Sequence, residues 1–264
     1  MAQELTQRFL SQAALVASYR HPANVSAARR TTLTPQVEED LEIQATIKIS
    51  ENPSIDLRDA LAVALLNWFK NLFKWFKPPE GFTPAGQSIQ NGNRVEIYKK
   101  GTETFNFIRY NDPVKLIDPS HRTGRCGEFA NAFAFLASVM GFEVRKVSTV
   151  YEDHIWVELY SEAQKRWIHY DPCENQHDMP LVYELGWKKE LSYVVAVQAD
   201  LVSDVSKKYS VQHQKLALNQ ATKAVRYDEY IGIYLKKMLL IIIPGLPKTV
   251  DRNCIWGMVR KVTW

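Results

Sequence analysis

The chain has 264 residues, of which 46% are apolar, 23% charged and 11% aromatic, and its 33 basic and 29 acidic residues leave a net charge of +4. That composition excludes a disordered or collagen-like chain and suffices for one large domain with appendages. The small charge, with no dense basic block, argues against a nucleic-acid partner, and three cysteines (Cys126, Cys173, Cys254) are too few for a disulfide framework.

The opening stretch, MAQELTQRFLSQAALVASYR, lacks the apolar core of a signal peptide. Periodicity predicts a helix over 5–18. Segment 20–56 is mixed and polar, with a helix predicted around 34–43 that starts at Thr34-Pro35. Segment 55–76, IDLRDALAVALLNWFKNLFKWF, repeats apolar residues at helical spacing behind the N-cap candidate Asp56 and predicts a long helix with an aromatic face. Segment 77–93 holds three prolines and three glycines and reads as a loop. Segments 94–99 and 105–110 read as strands. Arg125-Cys126-Gly127-Glu128 opens a helix whose inner positions are Ala130, Phe133, Ala134, Ala137 and Met140, with Gly141 as its stop. Strands follow over 144–150, 154–160 and 165–170, separated by an acidic loop at 151–153 and a polar turn at 161–164. A further strand is predicted over 192–198 and an amphipathic helix over 213–238. The apolar run 238–243 is too short to span a bilayer and meets Pro244. Asn24-Val25-Ser26 is a glycosylation sequon on paper, read as chance without a secretory signal. No internal repeat is present. A helix followed by an antiparallel sheet predicts an α+β fold, in a soluble protein of a reducing compartment.

Cys126 falls at or just before a helix N-terminus, where the helix dipole and free amides favour a thiolate. Such a nucleophile needs a base, and the base needs an orienting group. Pairing strands 154–160 and 165–171 around the turn sets His154 directly opposite Asp171, within reach of an imidazole–carboxylate bond. A lone cysteine at a helix start is more often structural, a lone strand histidine is usually a satisfied core or surface group, and an aspartate before proline is usually a turn residue. Their joint order and geometry fit a cysteine-hydrolase triad of Cys126 nucleophile, His154 base and acid, and Asp171 orienter. A one-residue slip would turn these side chains to opposite faces. Trp156 shares the face of His154 and Trp167 that of Asp171. Trp75 and Trp187 lie further off in sequence, and core packing is the default reading for any single tryptophan.

The words RCGEFANAFAFLASVMGFEVR, DHIWVELYSEAQKRWIHYDPCEN, YELGWKKELSYVVA and DVSKKY, with LLNWFKNLFKWFKPP and RYNDPVKLI upstream, resemble the cytosolic peptide:N-glycanase family of the transglutaminase-like superfamily, from roughly residue 8 to about 238. The resemblance implies a papain-like core, with the catalytic cysteine on a helix N-terminus packed on an antiparallel sheet and helices flanking both ends. It implies hydrolysis of the β-aspartyl-glucosamine amide of misfolded N-glycoproteins during glycoprotein quality control. It matches Cys126, His154 and Asp171 to the family triad. It puts Trp75, Trp156, Trp167, Glu174 and Trp187 on cleft or chitobiose-binding positions. The division it implies is an N-terminal helical extension over 1–54, a catalytic core over 55–238 with a degenerate zinc module near 77–110, and a tail over 239–264 of unassigned role.

The family usually carries zinc on two Cys-x-x-Cys pairs. Here those places read PPEGFTPAG and YKKGTETF, and the six histidines show no metal spacing, so no zinc and no other cofactor is expected. The resemblance leads one to expect no counterpart here of the N-terminal ubiquitin-related partner-binding domain and C-terminal mannose-binding domain found in some animal members. The expected partners are denatured N-glycoprotein and a ubiquitin-receptor proteasome shuttle, met through 5–18 and 213–238. No membrane span is expected, and the expected location is the cytoplasm, with the nucleus also open. The alternatives are a weak or inactive adaptor of the same fold, or a related cysteine hydrolase or transglutaminase with another acyl donor.

Overall fold

Apolar residues at helical spacing wind the first third of the chain into four helices. The computed structural model describes residues 2–150 and 153–212. Tyr151 and Glu152 of the acidic loop, the helix expected over 213–238 and the tail 239–264 lie outside the described residues. The helices are α1 (Ala2–Ser18), α2 (Pro22–Thr31), α3 (Pro35–Glu51) and α4 (Leu57–Leu72). Pro35 sits in the first turn of α3, where no N–H is required, and the Thr34 side chain accepts from Val37 N–H. Asp56 caps α4 by accepting from Arg58 N–H at 2.8 Å.

The helix predicted to Phe76 ends four residues earlier, at Leu72. Beyond it β1 (Lys74–Trp75) pairs in parallel with β5 (Thr123–Gly124). Phe76 N–H also donates to Gly124 O at 2.8 Å. Those backbone bonds take the aromatic end of the segment out of the helix.

The region read as a loop over 77–93 contains a strand. β2 (Thr83–Gln90), β3 (Asn93–Lys100) and β4 (Glu103–Arg109) form their own antiparallel sheet. Asn91 and Gly92 both have positive φ, 49° and 76°, as a two-residue type I′ hairpin requires. Pro84 is tolerated because the strand lies at the sheet edge and bulges between Pro84 and Gly86. Phe76 stacks on Phe107 with centroids 3.6 Å apart and lies 5.7 Å from Tyr98, while Phe82 meets Phe105 edge-on at 6.3 Å.

After α5 (Pro113–Ile117) and β5, helix α6 (Cys126–Val139) runs through the core, buried from Glu128 to its last turn. Gly141 follows it at φ 85°, the left-handed stop that the sequence predicts. The main sheet orders its strands β11-β10-β6-β7-β8-β9, all antiparallel. They are β6 (Val144–Thr149), β7 (Ile155–Ser161), β8 (Arg166–Asp171), β9 (Gln176–His177), β10 (Val194–Val197) and β11 (Val202–Asp204). A π-helical turn (Val182–Gly186) precedes β10, and α7 (Ser206–Tyr209) is the last described element. Val144, Val157, Leu159, Ile168 and Tyr170 pack one face against α4 and α6, and Val195 and Val197 meet Phe9 and Ala13 of α1 on that face. The other face carries Trp156, Val147, Tyr183 and Tyr209. The arrangement is α+β, as expected.

One buried ion-pair chain ties the small sheet to α6. Arg109 of β4 donates to Glu128 at 2.6 Å and to Glu96 of β3 at 2.6 Å. Arg125 also donates to Glu96, at 3.0 Å. Breaking a buried pair leaves an unpartnered charge, so Arg109→Leu is expected to cost about 3–5 kcal/mol of stability in urea unfolding. A loss below about 1 kcal/mol would show that the small sheet does not hold α6 through this residue.

Candidate active site

Cys126 is the first residue of α6. The backbone enters through Gly124, where a Cβ would stand 2.3 Å from the Cβ of Glu128, so only glycine fits. Glu128 reaches back and accepts from Arg125 N–H at 2.9 Å, which fixes the first turn. The thiol is therefore held where free N–H groups and the positive helix end converge. Lys146, buried on β6, adds a positive charge within electrostatic range of Cys126 and Glu128. Burial pulls its ammonium down to about 8 against the attraction of those two groups.

His154 precedes β7, and its Nε2 lies 2.7 Å from Asp171 Oδ2 at the end of β8. The ladder differs from the expected register by two residues. Val157 faces Tyr170 and Ser161 faces Arg166, with the turn over 162–165, so Asp171 falls opposite the Trp156 position and diagonal to His154. A two-residue shift keeps every side chain on its face, and diagonal neighbours about 7–8 Å apart remain within reach of long side chains. Lys165 adopts φ 52° in this turn, which sets the register.

Burial works to lower the His154 pKa, but hydrogen bonds to Asp171 and to the Cys126 thiol, with the charges of both, push it up to about 9. With Nε2 turned to Asp171, Nδ1 is the ring nitrogen left for sulfur. Asp171 is fully buried, yet its carboxyl is held below the usual range because donors outweigh the desolvation. Oδ2 accepts from His154 and from Tyr183 OH at 2.9 Å, and Oδ1 accepts from Cys173 N–H at 2.9 Å. A half-buried thiol beside a buried, charged imidazole of this kind can attack a carbonyl carbon while the imidazolium protonates a leaving group.

The structure brings some of the remaining candidates to this pair and not others. Trp75 pairs with Gly124 beside Cys126 and is 47% exposed. Trp187 is 37% exposed and stands edge-on to His154 with centroids 4.9 Å apart. Glu174 is exposed three residues past Asp171. Trp156 and Trp167 are engaged in packing within the fold. Trp156 is 0% exposed, lies against the His154 ring at 5.7 Å and donates Nε1–H to Tyr209, so it supports the histidine and offers no face to a ligand. Trp167 is four residues from Asp171 along β8, about 13 Å away, and packs on Tyr160 and under the Arg145 guanidinium. Tyr183, Glu128, Arg109 and Gly124 were not singled out from the sequence. The Glu three residues after the cap position was a legible capping signal.

Among the described residues no group of three or more His, Cys, Asp and Glu side chains could hold a metal ion. The small sheet, where the resemblance would put a zinc module, carries no cysteine or histidine in its strands, so these offer none of the N/S ligands zinc needs. No helix of the described chain is long and apolar enough to cross a membrane.

The transglutaminase-like superfamily matches residues 85–172, and the Rad4 transglutaminase-like domain matches 143–234. Relatives named peptide-N(4)-(N-acetyl-beta-glucosaminyl)asparagine amidase include one from Arabidopsis thaliana, 38% identical over 78% of this chain and 31% of its own. One from Gallus gallus is 41% identical over 83% and 36%, and one from Oryza sativa subsp. japonica is 40% identical over 72% and 46%. The chain thus spans between about a third and a half of these relatives' length. The crystal structure of Rad4-Rad23 bound to a 6-4 photoproduct UV lesion is similar at a TM-score of 0.47 and 14% identity over 99% of this chain and 60% of that one, too weak to bear on the fold or the function.

The raised His154 pKa means that the imidazolium–carboxylate pair contributes stability fully below the ordinary value of 6.5, a contribution lost as pH rises through about 9. The His154 ring resonances are therefore expected to titrate near 9 by NMR and to fall toward 6.5 in Asp171→Asn. A wild-type midpoint at or below 6.5 would contradict the pairing.

Proposed function

The chain belongs to the peptide:N-glycanase family of the transglutaminase-like superfamily, and from that membership we propose that it hydrolyses the β-aspartyl-glucosamine amide of denatured N-glycoproteins in glycoprotein quality control. The single observation that carries this reading is the Cys126–His154–Asp171 constellation, closed by the 2.7 Å bond between His154 and Asp171. Cys126 Sγ attacks the amide carbonyl carbon of the glycosylated asparagine. Negative charge grows on the carbonyl oxygen beside the free N–H groups of the first turn of α6. His154 passes its proton to the amide nitrogen, the C–N bond breaks and the sugar leaves as a glycosylamine. A thioester of the aspartyl side chain remains on Cys126. Water then attacks it, His154 takes the water proton, and the products are an aspartate carboxylate and the Cys126–His154 pair restored.

Trp75 and Trp187 fit the sugar side of this reading. Both rings are exposed, and they flank the nucleophile from the Gly124 side and the His154 side. Apolar ring faces stack well on pyranose faces. Glu174 supplies a solvent-facing carboxylate for sugar hydroxyls or the acetamido N–H.

The proposed compartment is the cytoplasm, with the nucleus also open. A ubiquitin-receptor shuttle is the proposed partner. The apolar stripe of α1, with Phe9, Ala13 and Val16, is already packed inward, so such a partner would meet the polar side of that helix.

The proposed zinc-free character of the small sheet rests on its side chains. The stacked Phe76 and Phe107, with Tyr98, Phe82 and Phe105, supply apolar packing, and Arg109 and Arg125 pin the sheet through Glu96. The purified protein is expected to hold less than stoichiometric zinc and to keep its Tm in excess chelator. One zinc per chain together with a Tm drop in chelator would overturn this.

Incubation of a denatured high-mannose glycoprotein under reducing conditions tests the activity. The wild type is expected to remove the glycan and leave aspartate at the site, and Cys126→Ala to do neither. A folded wild type that leaves the glycan attached would favour the adaptor reading.

A further inference from the structure

The hydrogen bonds behind Asp171 have only one consistent direction. His169 lies on β8 two residues before Asp171 and is fully buried. Its Nδ1 accepts from Met179 N–H at 3.3 Å. A nitrogen that accepts cannot carry the proton, so the neutral ring is protonated at Nε2. Burial, the largest influence, pulls His169 down to about 4, so the ring is neutral at working pH. Nε2 lies 2.7 Å from Tyr183 OH and must donate to it. The Tyr183 oxygen is thereby an acceptor, and its one proton is left for Asp171 Oδ2 at 2.9 Å.

We infer that His169 and Tyr183 form a one-way donor chain that positions Asp171, and through it His154, for the chemistry at Cys126. The chain runs from Met179 N–H through the His169 ring and the Tyr183 hydroxyl to the Asp171 carboxylate. Oδ2 then presents its remaining lone pair to His154 Nε2–H, while Oδ1 is held by Cys173 N–H. The carboxylate is fixed at both oxygens and cannot rotate away from the imidazole.

The π-helical turn explains how Tyr183 comes to stand there. Trp187 N–H donates to Val182 O, a five-residue step that widens the turn. Tyr183 and Trp187, four apart, both reach the His154 ring, at 5.1 and 4.9 Å, one buried and one exposed. The Trp156 ring packs on Tyr183 at 4.3 Å and keeps it in place. Tyr209 belongs to the same aromatic layer but points its hydroxyl elsewhere. It accepts from Trp156 Nε1 and donates to Glu158 at 2.6 Å, with no bond to Asp171.

Tyr183 and His169 act through Asp171, so both are positioning residues. The inference rests on the triad assignment of the proposed function, and one readout does not need the glycoprotein at all. The rate of iodoacetamide alkylation of Cys126, followed by mass spectrometry of its peptide across pH, reports the thiolate–imidazolium pair directly. Tyr183→Phe removes only the hydroxyl. Its acid limb is expected to move up, with alkylation at pH below the limb slowed about tenfold, the size of one hydrogen bond to a charged group. Deglycosylation by the same variant is expected to lose about tenfold or more in kcat with KM unchanged. His169→Leu is expected to match Tyr183→Phe, and His169→Gln, which keeps an N–H toward Tyr183, to recover most of the rate. Tyr209→Phe serves as the control for general loosening of the layer and is expected to leave the alkylation profile as in wild type. A Tyr183→Phe profile equal to wild type, or equal shifts in Tyr183→Phe and Tyr209→Phe, would overturn the inference. A shifted Tyr183→Phe profile in a protein that never releases glycan would uphold the positioning chain and sink the glycanase reading instead.

Discussion

Glu128 is buried in the first turn of α6, between the backbone N–H of Arg125 and the guanidinium of Arg109. A carboxylate in that position is tolerable only because both partners are charged or strongly dipolar. In return it fixes where the helix begins, and the helix begins with Cys126. Gly124 passes so close to the Glu128 side chain that any β-carbon would displace it. The small sheet takes part in this constraint although it contributes nothing to the triad itself. Arg109 comes from its last strand, and Glu96 of its middle strand binds both Arg109 and Arg125. The sheet itself is held by stacked aromatic rings and an arginine–glutamate chain.

The two faces of the main sheet divide the work. One buries aliphatic and aromatic residues against α1, α4 and α6 and supplies most of the core. The other carries a polar aromatic layer in which Trp156, Tyr183, Tyr209, His169 and Glu158 are all buried and hydrogen-bonded. Buried polar networks of this sort are costly unless every member is satisfied. Here the satisfied network has an outlet, Asp171, whose carboxylate meets the one histidine that faces the thiol. The stability of the layer and the orientation of the site are the same set of bonds.

Much of this was legible in the residues. The helical spacing behind Cys126 and the stop at Gly141 locate the proposed nucleophile at a helix start, and strand alternation alone puts His154 and Asp171 on one face. The exact register was not legible, because the turn length depends on Lys165 adopting a left-handed conformation that its side chain does not advertise. The meeting of His154 and Asp171 survives because a two-residue shift preserves the faces. The strand β2 was hidden by Pro84 and Gly86, although Asn91-Gly92 is a strong hairpin signal that outranks them. Exposure was the least legible property. Trp156 and Trp187 are chemically alike, yet one is sealed beneath His154 and the other stands at the surface beside it. Tyr183 could not be found from periodicity, since a π turn obeys neither the strand nor the α-helix repeat.

The central claim of the proposed function is that Cys126 itself would carry the acyl group of the glycosylated asparagine. Rapid acid quenching of the enzyme in mid-turnover with a short N-glycopeptide, followed by mass spectrometry of the Cys126 peptide, reads this most directly. The account predicts a transient adduct on Cys126 equal to the aspartyl peptide without its sugar. Glycan release with no such adduct at any time, or an adduct that still carries the sugar, would contradict it.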